Sequence, residues 1–453
     1  MRITIVGGGY VGLVSGACFA ALGAAVTIVE VDPGRFNALR EGRMPIYEPG
    51  LEELVTTNRA AGRLDFVDSI GVVADTDMVF LAVGTPSRRG DGHADLSYVF
   101  EAAEQIAAAL TRPLVLVTKS TVPVGTGRRL AELMAVRRPD LAISVASNPE
   151  FLREGCAIDD FMKPDRIVIG TDSKTAQTLL SALYAPLTRE GVRLLATGLE
   201  TAEMIKYAAN SFLAMKIAFI NEMADMCEKL GAEIGDLATG LGLDQRIGPK
   251  FLQAGPGFGG SCFPKDTQAM VRIAQDAGAP SRLVETVVAV NEARKAAMAS
   301  RIIAACGGVV RGKRIAVLGL TFKPDTDDIR DSPALGIIHR LVDEGAQINA
   351  HDPMGINQAR FQLPARVSFC TDALAAMQGA DAVVVVTEWA AFKALDPEAM
   401  RLAMRGHVVV DLRNIFHGPA MRAAGLHYYG IGSAPVPLDF RPEAETLRLY
   451  SAG

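Results

Sequence analysis

The sequence has no concentration of positive charge and no long hydrophobic run. Its 453 residues carry 46 Lys and Arg against 51 Asp and Glu, which gives a formal net charge of −5. Surfaces that bind nucleic acid or anionic membranes are normally basic, and the apolar stretches are too short to span a bilayer. We therefore expect neither a nucleic-acid partner nor a membrane partner.

Cysteine is also scarce, and its spacing fits neither disulfides nor metal. Six cysteines occur, with no CxxC pair and no Cys/His ligand spacing. This argues against a disulfide framework and a structural zinc, so no metal is predicted. The first apolar run, in MRITIVGGGYVG, is shorter than a signal peptide requires and is typical of a buried strand. These features predict a cytoplasmic protein with reduced thiols.

The chain is long enough for two or three domains. Short β-branched runs alternate with helical patterns in the first and last thirds, which predicts βαβ units and parallel sheets. The middle third contains two helical patterns, over 199–230 and 281–306, separated by a glycine-rich segment, 248–266, predicted to be neither helix nor strand. We predict an α/β fold with two Rossmann-like α/β domains joined by a long central helix and a helical connector. The predicted domains are 1–196, 197–306 and 307–453.

Strand positions follow from the same patterns. In the first third we predict strands at 2–6, 25–29, 78–83, 114–118 and 142–146. In the last third we predict strands at 315–318, 347–350, 382–387 and 407–411.

A dinucleotide fingerprint follows the first predicted strand. Gly7, Gly9 and Gly12 form GxGxxG, whose glycines allow a tight turn, close approach of a pyrophosphate and close helix packing. Glu30 ends the second predicted strand, where a carboxylate accepts the ribose hydroxyls and repels a 2′-phosphate. This favours NAD over NADP, although Arg35 leaves NADP open and FAD shares the fingerprint.

The most informative segment is GGSCFPKD, from Gly259 to Asp266. Its glycines leave the Cys262 sulfur open to a substrate, whereas inert cysteines usually lie in apolar elements. A nucleophilic thiol beside a nicotinamide site predicts oxidation beyond an aldehyde, through a thiohemiacetal and a thioester, to a carboxylic acid. Asp266 lies four residues further on and is placed to orient water or a proton carrier.

For several other polar residues, spacing alone favours a structural interpretation over a functional one. Lys206 and Asn210 are four apart and share one face of the long predicted helix, which also carries Glu203. By spacing alone these residues indicate a solvated polar stripe. Glu150 and Glu154 are either a base and a binding group or the acidic start of a helix. The loops containing Thr85 and Thr121 follow predicted strands and by spacing alone are ordinary turns.

Seven segments in order carry a resemblance over nearly the whole chain. They are GGGYVG, PIYEPGL, KSTVPVGT, SNPEFLREG, PDRIVIG, GFGGSCFPKD and TFKPDTDDIRDSP. Together they resemble the UDP-glucose 6-dehydrogenase family, a branch of the UDP-glucose/GDP-mannose dehydrogenases. The resemblance implies oxidation of UDP-glucose to UDP-glucuronate with reduction of two NAD, by a homodimer formed through the central helix. The family often has Asp where this chain has Glu30, and the tail 435–453 matches no family element.

The resemblance implies chemical roles for six side chains. In the family a thiol carries the covalent intermediates, a Lys and an Asn stabilise oxyanions, an Asp and a Thr position water, and a Glu is the base in the thioester step. In this sequence these are, in that order, Cys262, Lys206, Asn210, Asp266, Thr121 and Glu150.

Binding residues are implied in the same way. The resemblance implies NAD contacts at Gly7, Gly9, Tyr10, Val11, Gly12, Glu30, Arg35, Thr85, Thr121, Glu154 and Arg330. It implies UDP-glucose contacts at Glu150, Phe151, Leu152, Glu154, Lys206, Asn210, Arg246, Phe251, Leu252, Gln253, Gly257, Phe258, Gly259, Phe322, Lys323 and Arg413. Arg246 would reach the substrate of the neighbouring subunit.

Three alternatives stay open from the sequence. Sister enzymes that oxidise GDP-mannose, UDP-N-acetylmannosamine or UDP-N-acetylglucosamine share the cysteine mechanism. A two-electron dehydrogenase of the 6-phosphogluconate or hydroxyacid type would leave Cys262 idle. An NAD-binding regulatory or scaffold protein would need none of Cys262, Lys206, Asn210 and Asp266.

Overall fold

A computed structural model describes residues 1–88 and 92–433. The chain forms two compact units: the first is Met1–Met215, Gly259–Ala289 and Lys323–Asp331, and the second is Lys216–Phe258, Val290–Phe322 and Ser332–Gly453. The division into 1–196, 197–306 and 307–453 stays a prediction. The tail 435–453 lies outside the described residues.

The first unit contains an eight-stranded sheet in the order β3-β2-β1-β4-β5-β6-β7-β8. Its strands are β1 (Arg2–Val6), β2 (Ala25–Val29), β3 (Leu64–Val67), β4 (Met78–Leu81), β5 (Val115–Thr118), β6 (Ser144–Ser147), β7 (Ile167–Gly170) and β8 (Leu194–Thr197). All neighbouring pairs are parallel except β6 and β7, which meet in an antiparallel pair of Ser147 with Gly170. The parallel sheet is therefore confirmed apart from this unpredicted reversal.

Helices cover both faces of this sheet. They are α1 (Tyr10–Ala21), α2 (Pro33–Arg40), α3 (Leu51–Ala60), α4 (Ser97–Ala109), α5 (Thr126–Arg137), α6 (Ala157–Met162), α7 (Lys174–Leu183) and α8 (Ala185–Arg189), with a 3₁₀ helix at Ile70–Asp75. Along β1, Ile3 and Ile5 belong to one core, and Val6 belongs to the core on the other face. Since successive strand side chains point to opposite faces, the apolar residues of this one strand contribute to both cores.

Four helices separate the two sheets in the sequence. They are α9 (Leu199–Leu230), α10 (Ile234–Gly242), α11 (Phe263–Asp276) and α12 (Arg282–Ala305). The long helix predicted over 199–230 is confirmed to the residue, and its 32 residues span about 48 Å. The second predicted helix is confirmed within one residue at each end. The prediction that 248–266 is neither helix nor strand is wrong at its end, because α11 already begins at Phe263.

The second unit contains a six-stranded parallel sheet in the order β11-β10-β9-β12-β13-β14. Its strands are β9 (Arg314–Leu318), β10 (Gln347–His351), β11 (Ser368–Phe369), β12 (Ala382–Val385), β13 (Val408–Asp411) and β14 (His427–Tyr429). Its helices are α13 (Pro333–Asp343), α14 (Ile356–Ala359), α15 (Ala373–Met377), α16 (Ala390–Lys393), α17 (Pro397–Ala403) and α18 (Gly418–Ala423). The strand order repeats that of the first six strands of the other sheet, so two Rossmann-like domains are confirmed.

The predicted strands all exist; two match at both ends, and the ends of the others are displaced by at most two residues. Five strands were not predicted: β3, β7, β8, β11 and β14. They are two to four residues long, and β8 leaves half of its residues exposed. Such short segments carry too little alternation to be recognised.

Among the described residues, no helix is both long and apolar enough to cross a membrane.

Candidate active site

The turn between β1 and α1 is shaped for close approach of a phosphate group. Gly7 has a φ of +111°, and a Cβ there would lie 2.7 Å from the carbonyl oxygen of Ala82. A Cβ on Gly12 would lie 1.9 Å from the Gly7 carbonyl oxygen, so glycine is needed for α1 to pack here. Gly9 is the N-cap residue of α1, and a Cβ added to it would have no atom within 4 Å. This open place at a helix N-terminus fits the pyrophosphate of a dinucleotide.

Glu30 lies immediately after β2 and is held against this turn. Its side chain is buried; Oε2 accepts the backbone N–H of Gly8 at 3.1 Å, and Oε1 accepts that of Asp32 at 2.8 Å. Each carboxylate oxygen keeps a further lone pair for a ribose hydroxyl. Arg35 lies in the first turn of α2 with an exposed side chain. The geometry fits NAD, whose nicotinamide accepts hydride from a substrate.

The loops after β4 and β5 are joined to each other. The Thr85 hydroxyl donates to the carbonyl oxygen of Thr121 at 2.8 Å, and the Ser120 hydroxyl donates to that of Val83 at 2.6 Å. Both loops leave the carboxyl ends of parallel strands, the ligand side of such sheets. The NAD contacts predicted for Thr85 and Thr121 stay predictions.

Cys262 is the N-cap residue of α11 and is partly exposed. Its Sγ lies 3.6 Å from the hydroxyl oxygen of Ser261. Burial raises the pKa of the thiol above its ordinary value; the Lys206 ammonium lowers it, while the carboxylates of Glu150 and Asp266 raise it. The resting residue is therefore a protonated thiol, beside the cation that favours its thiolate.

That cation is held by an ion pair in the interior. Lys206 Nζ lies 2.9 Å from Glu150 Oε1, with side-chain exposures of 4% and 6%. Burial lowers the pKa of Lys206, but the charges of Glu150, Cys262 and Asp266 outweigh burial and raise it. The second oxygen of Glu150 accepts the backbone N–H of Leu152, and the Phe151 ring centre lies 5.4 Å from Lys206 Nζ. Lys206 is thus a fixed positive charge suited to a developing oxyanion.

A second buried pair lies one turn further along α9. Asn210 Nδ2 donates to Asp266 Oδ2 at 2.6 Å, and both side chains are buried. Asp266 follows Cys262 by one turn of α11, with its backbone N–H donating to the Cys262 carbonyl oxygen. The structure therefore brings together Cys262, Lys206, Asn210, Asp266 and Glu150, which the sequence spread over more than 110 positions.

Two interpretations based on spacing alone are wrong. Glu203, Lys206 and Asn210 are 2%, 3% and 6% exposed, so they do not form a solvated stripe. Helical spacing shows which residues share a face but not what covers that face. The acidic residues Glu150 and Glu154 do not start a helix either, because α6 begins only at Ala157.

Glu154 connects the loop before Cys262 to the segment 323–331. It accepts hydrogen bonds from the hydroxyls of Ser261 at 3.0 Å and Thr326 at 2.9 Å. Burial, then the charge of Asp328, raises the pKa of Glu154, whereas the Arg330 guanidinium at 3.5 Å lowers it. The charge of Glu154 is therefore sensitive to what enters this region.

The same segment holds two predicted binding residues. Arg330 is 62% exposed, pairs with Asp328 at 2.7 Å, and its carbonyl oxygen accepts the N–H of Gly260. Lys323 begins the segment in the first unit. Gly259, also in the first unit, is buried.

Half of the residues predicted to contact UDP-glucose lie in the second unit. They are Arg246, Phe251, Leu252, Gln253, Gly257, Phe258, Phe322 and Arg413. The loop from 251 to 258 is fixed by buried amides: Asn221 accepts the N–H of Gly255, and Asn291 accepts that of Phe258, both at 2.8 Å. The Arg294 guanidinium donates to the Gly255 carbonyl oxygen at 2.6 Å. This loop is therefore shaped before any ligand binds.

Two arginines of this set have different surroundings. Arg413 follows β13 and donates to the carbonyl oxygens of Val386 and Phe322, at 2.8 and 3.0 Å. Arg246 is 89% exposed and pairs with Asp244 at 2.6 Å. Arg413 is thus fixed at the carboxyl edge of its sheet, and Arg246 extends from the surface.

The second sheet has its own acidic residue after its second strand. Asp352 follows β10, is buried, and accepts the N–H groups of Leu320 and Thr321, at 2.7 and 3.1 Å, and the indole N–H of Trp389 at 3.1 Å. The turn after β9 therefore gives its amide donors to a carboxylate of the protein. This agrees with the sequence after β9, where Gly319-Leu320-Thr321 does not form a GxGxxG.

Sequence reasoning missed a buried lysine beside the site. Lys119 directly follows β5, and its Nζ donates to Asn148 Oδ1 at 3.0 Å and to the Tyr184 hydroxyl at 3.2 Å. Burial lowers its pKa to about 8, while the charge of Glu150 raises it and that of Lys206 lowers it. The sequence signal was a lysine directly after a short strand of three aliphatic residues and Thr118.

Glu48 was missed as well, although its segment was noted. It accepts the N–H groups of Gly155 and Ala157, each at 2.7 Å, and the hydroxyl of Tyr10. It therefore ties the start of α1 to the loop containing Glu154.

All six cysteines are free thiols. Within 1–88 and 92–433, no group of three or more His, Cys, Asp or Glu side chains is placed to hold a metal ion.

The turn, the acidic strand end and the strand order define the first unit as the NAD-binding part of a dehydrogenase. Family models agree along the chain. Residues 1–188 match the NAD binding domain of the UDP-glucose/GDP-mannose dehydrogenase family, residues 200–293 match its central domain, and residues 316–418 match its UDP binding domain. The chain belongs to this family.

Similar proteins point to one branch. The chain is 54% identical over 435 residues to the UDP-glucose 6-dehydrogenase of Rhizobium meliloti (strain 1021), covering 95% of this chain and 99% of the relative. It is 44% identical over 437 residues to the UDP-glucose 6-dehydrogenase TuaD of Bacillus subtilis (strain 168), covering 96% and 94%. A solved UDP-glucose dehydrogenase from Pyrobaculum islandicum superposes with a TM-score of 0.88 at 40% identity, covering 96% and 98%.

Proposed function

We propose that this protein oxidises UDP-glucose to UDP-glucuronate, using two NAD for each product. The observation that carries the proposal is the position of Cys262, one turn from Asp266 and within the electrostatic reach of the buried Lys206–Glu150 pair. The similarity to UDP-glucose 6-dehydrogenases supports the choice of substrate.

The reaction divides into two oxidations and a hydrolysis. In the first, the sugar C6 alcohol loses a hydride to NAD and a proton to a base, which gives an aldehyde. The Cys262 thiolate then adds to the aldehyde carbon, forming a thiohemiacetal that loses a second hydride to another NAD and becomes a thioester. Water cleaves the thioester to the carboxylate and returns the thiol.

The charged pairs supply the groups that these steps need. Lys206 and Asn210 face the oxygen that becomes negative when sulfur or water adds to the carbonyl carbon. Glu150 accepts the proton of the attacking water, since each of its oxygens has a lone pair beyond its bond to Lys206 or Leu152. Asp266 and Thr121 position that water.

Cofactor and nucleotide are assigned to different segments. NAD is bound by Gly7, Gly9, Tyr10, Val11, Gly12, Glu30, Arg35, Thr85, Thr121, Glu154 and Arg330. UDP-glucose is bound by the residues predicted for it, including Glu154, which serves both ligands. Among them, the guanidinium of Arg413, the ammonium of Lys323 and the loop 251–258 each suit a pyrophosphate.

We further propose a homodimer formed through α9. The helix exposes three large apolar side chains at intervals of seven residues: Phe212 at 58%, Phe219 at 45% and Met226 at 50%. Such a stripe on a helix is typical of a helix–helix interface. Arg246, exposed in the second unit, would then meet the substrate of the second copy.

The proposal is tested by stoichiometry. The purified protein is mixed with NAD and excess UDP-glucose, NADH is followed at 340 nm, and UDP-glucuronate is quantified. We expect two NADH for each UDP-glucuronate. One NADH with an accumulating ketone or aldehyde would favour the two-electron alternative. Turnover only of GDP-mannose or an N-acetylated UDP-sugar would keep the chemistry and change the substrate.

A further inference from the structure

A buried carboxylate outside the proposed mechanism bridges α9 and the start of α5. Glu203 is 2% exposed. Its Oε2 accepts the backbone N–H of Gly125, and its Oε1 accepts that of Gly127, each at 2.7 Å. Two hydrogen bonds to one ionised carboxylate are strong and directional, so they fix the segment that donates them.

The segment is shaped to receive this carboxylate. Gly125 precedes α5 with a φ of +92° and brings no side-chain cap, so the helix N-terminus depends on an acceptor from elsewhere. A Cβ on Gly127 would lie 3.1 Å from Glu203 Oε1 and 2.9 Å from Cδ2 of Leu199. Glycine at 127 therefore leaves the space that the carboxylate and its helix occupy.

The two sides of the bridge carry residues of the proposed mechanism. On α9, Lys206 and Asn210 follow Glu203 on the same buried face. On the other side, Thr121 lies in residues 120–127, here named the Thr121 loop. A displacement of this loop along α9 would move Thr121 relative to both side chains.

We propose that the Glu203 carboxylate is a positioning residue that holds the Thr121 loop on the α9 face presenting Lys206 and Asn210. The role rests on the proposed dehydrogenase reaction, in which Thr121 serves the cofactor and the water. Glu203 acts through the loop rather than on the reacting atoms.

The charges around Glu203 come from two helices. Glu200 and Tyr207 lie near it on α9, and Arg128 lies near it on α5. Burial raises the pKa of Glu203 to about 7; the N–H groups of the loop glycines and Arg128 lower it, and Glu200 raises it. Glu203 is therefore increasingly protonated as the pH falls below about 7, and the neutral acid replaces the carboxylate that accepts both N–H groups.

Activity and stability then respond oppositely to pH. A neutral carboxyl group holds the two N–H donors less strongly, so the loop is held less firmly in acid. The pKa of Glu203 is higher in the folded protein than in the unfolded chain. Its contribution to stability is thus complete below the unfolded value and is lost as the pH rises through the folded value.

The test compares E203Q with E200Q in the full-length enzyme. The glutamine at 203 keeps the size but turns one acceptor into an NH₂ donor that opposes a loop N–H. Glu200 is the matched control, because it also bridges α9 to α5, through Arg128 at 3.1 Å, but is exposed. For each variant we measure NAD affinity, kcat/KM for NAD from pH 5.5 to 9, unfolding against pH, and hydrogen exchange of peptides covering 119–130.

We expect E203Q to reduce kcat/KM for NAD about tenfold. In the pH profile of kcat/KM, the decrease on the acid side near pH 7 should disappear. Hydrogen exchange in the Thr121 loop should become faster. Its stability relative to the unsubstituted enzyme should fall as the pH falls. E200Q should match the unsubstituted enzyme in loop exchange and in kcat/KM for NAD at alkaline pH. Its acid limb should move slightly to lower pH, because the charge of Glu200 raises the pKa of Glu203. Equal behaviour of E203Q and E200Q in exchange and in the pH profile would overturn the proposal.

A second variant covers the case in which E203Q does not fold. Gly127→Ala keeps the carboxylate but crowds its position, and it should also speed loop exchange and weaken NAD binding. If Gly127→Ala folds and hydrogen exchange in the Thr121 loop is unchanged, the result would count against the proposal that Glu203 holds this loop. Exchange and NAD affinity need no sugar nucleotide. If the unsubstituted enzyme were inactive on UDP-glucose, the proposed function would be refuted. The exchange and NAD-affinity measurements would still decide separately whether Glu203 holds the Thr121 loop.

Discussion

Lys206 Nζ lies 2.9 Å from Glu150 Oε1, and both side chains are buried. Removing one member of such a pair leaves a buried charge without its partner, which destabilises a protein by about 3–5 kcal/mol. The pair is therefore a structural element as well as a chemical one.

We predict that Lys206→Met lowers the free energy of unfolding by about 3–5 kcal/mol. Lys206→Met with Glu150→Gln should recover part of the loss, because the buried negative charge is removed too. Urea unfolding followed by circular dichroism measures both. Arg246→Met, which breaks the exposed pair with Asp244, is the control and should leave stability unchanged. Losses that simply add in the double variant would contradict a coupled pair.

We predict that Cys262→Ala forms UDP-glucuronate at least about 10³-fold more slowly, because the covalent intermediates cannot form. Binding of NADH, measured by its fluorescence, should persist, since Cys262 is not part of the glycine turn. Cys370→Ala replaces another partly exposed thiol, in the second unit, and should keep full activity. A Cys262→Ala enzyme that still makes two NADH per product would exclude the thioester route.

The raised pKa of Cys262 predicts the pH dependence of its alkylation. The thiolate is the reactive form, so the rate of modification by iodoacetamide should keep rising with pH beyond the ordinary thiol range. Lys206 lowers the pKa of Cys262, so Lys206→Met should raise this pKa further. Alkylation of Cys262 should then be slower at every pH below its pKa. Peptide mass spectrometry isolates Cys262 from the other five cysteines. Faster alkylation in Lys206→Met would show that the lysine does not act on the thiol.

Cofactor choice should depend on Glu30. We predict that Glu30→Ala raises the KM for NAD about tenfold, the equivalent of about 1.4 kcal/mol, and narrows the preference for NAD over NADP. The matched control is Glu41→Ala, an exposed carboxylate at the end of α2 that pairs with Arg43. Initial rates with both cofactors make the comparison. An unchanged NAD/NADP ratio in Glu30→Ala would remove Glu30 from the ribose site.

The sequence predicted what depends on local pattern. The α9 helix was found to the residue because it has long apolar periodicity and few breakers. The glycine turn was found because its three glycines and Glu30 each have a separate steric or electrostatic reason.

Burial was what the sequence could not supply. The spacing of Lys206 and Asn210 showed a shared face, but only packing against other elements shows that water is excluded from it. Glu203 was misinterpreted as solvated and Lys119 was given no role for the same reason: their partners are backbone N–H groups or amides 29 to 78 positions away. Long-range pairing of this kind leaves no periodic trace in one sequence.

Asp352 has a consequence for binding stoichiometry. The two sheets share a strand order, yet one glycine turn is open to a phosphate, and the corresponding turn of the second sheet already holds a carboxylate on its amides. A dinucleotide approaching the second turn would meet negative charge instead of free donors. Native mass spectrometry in the presence of NAD alone should therefore count one cofactor per polypeptide, although the architecture repeats twice.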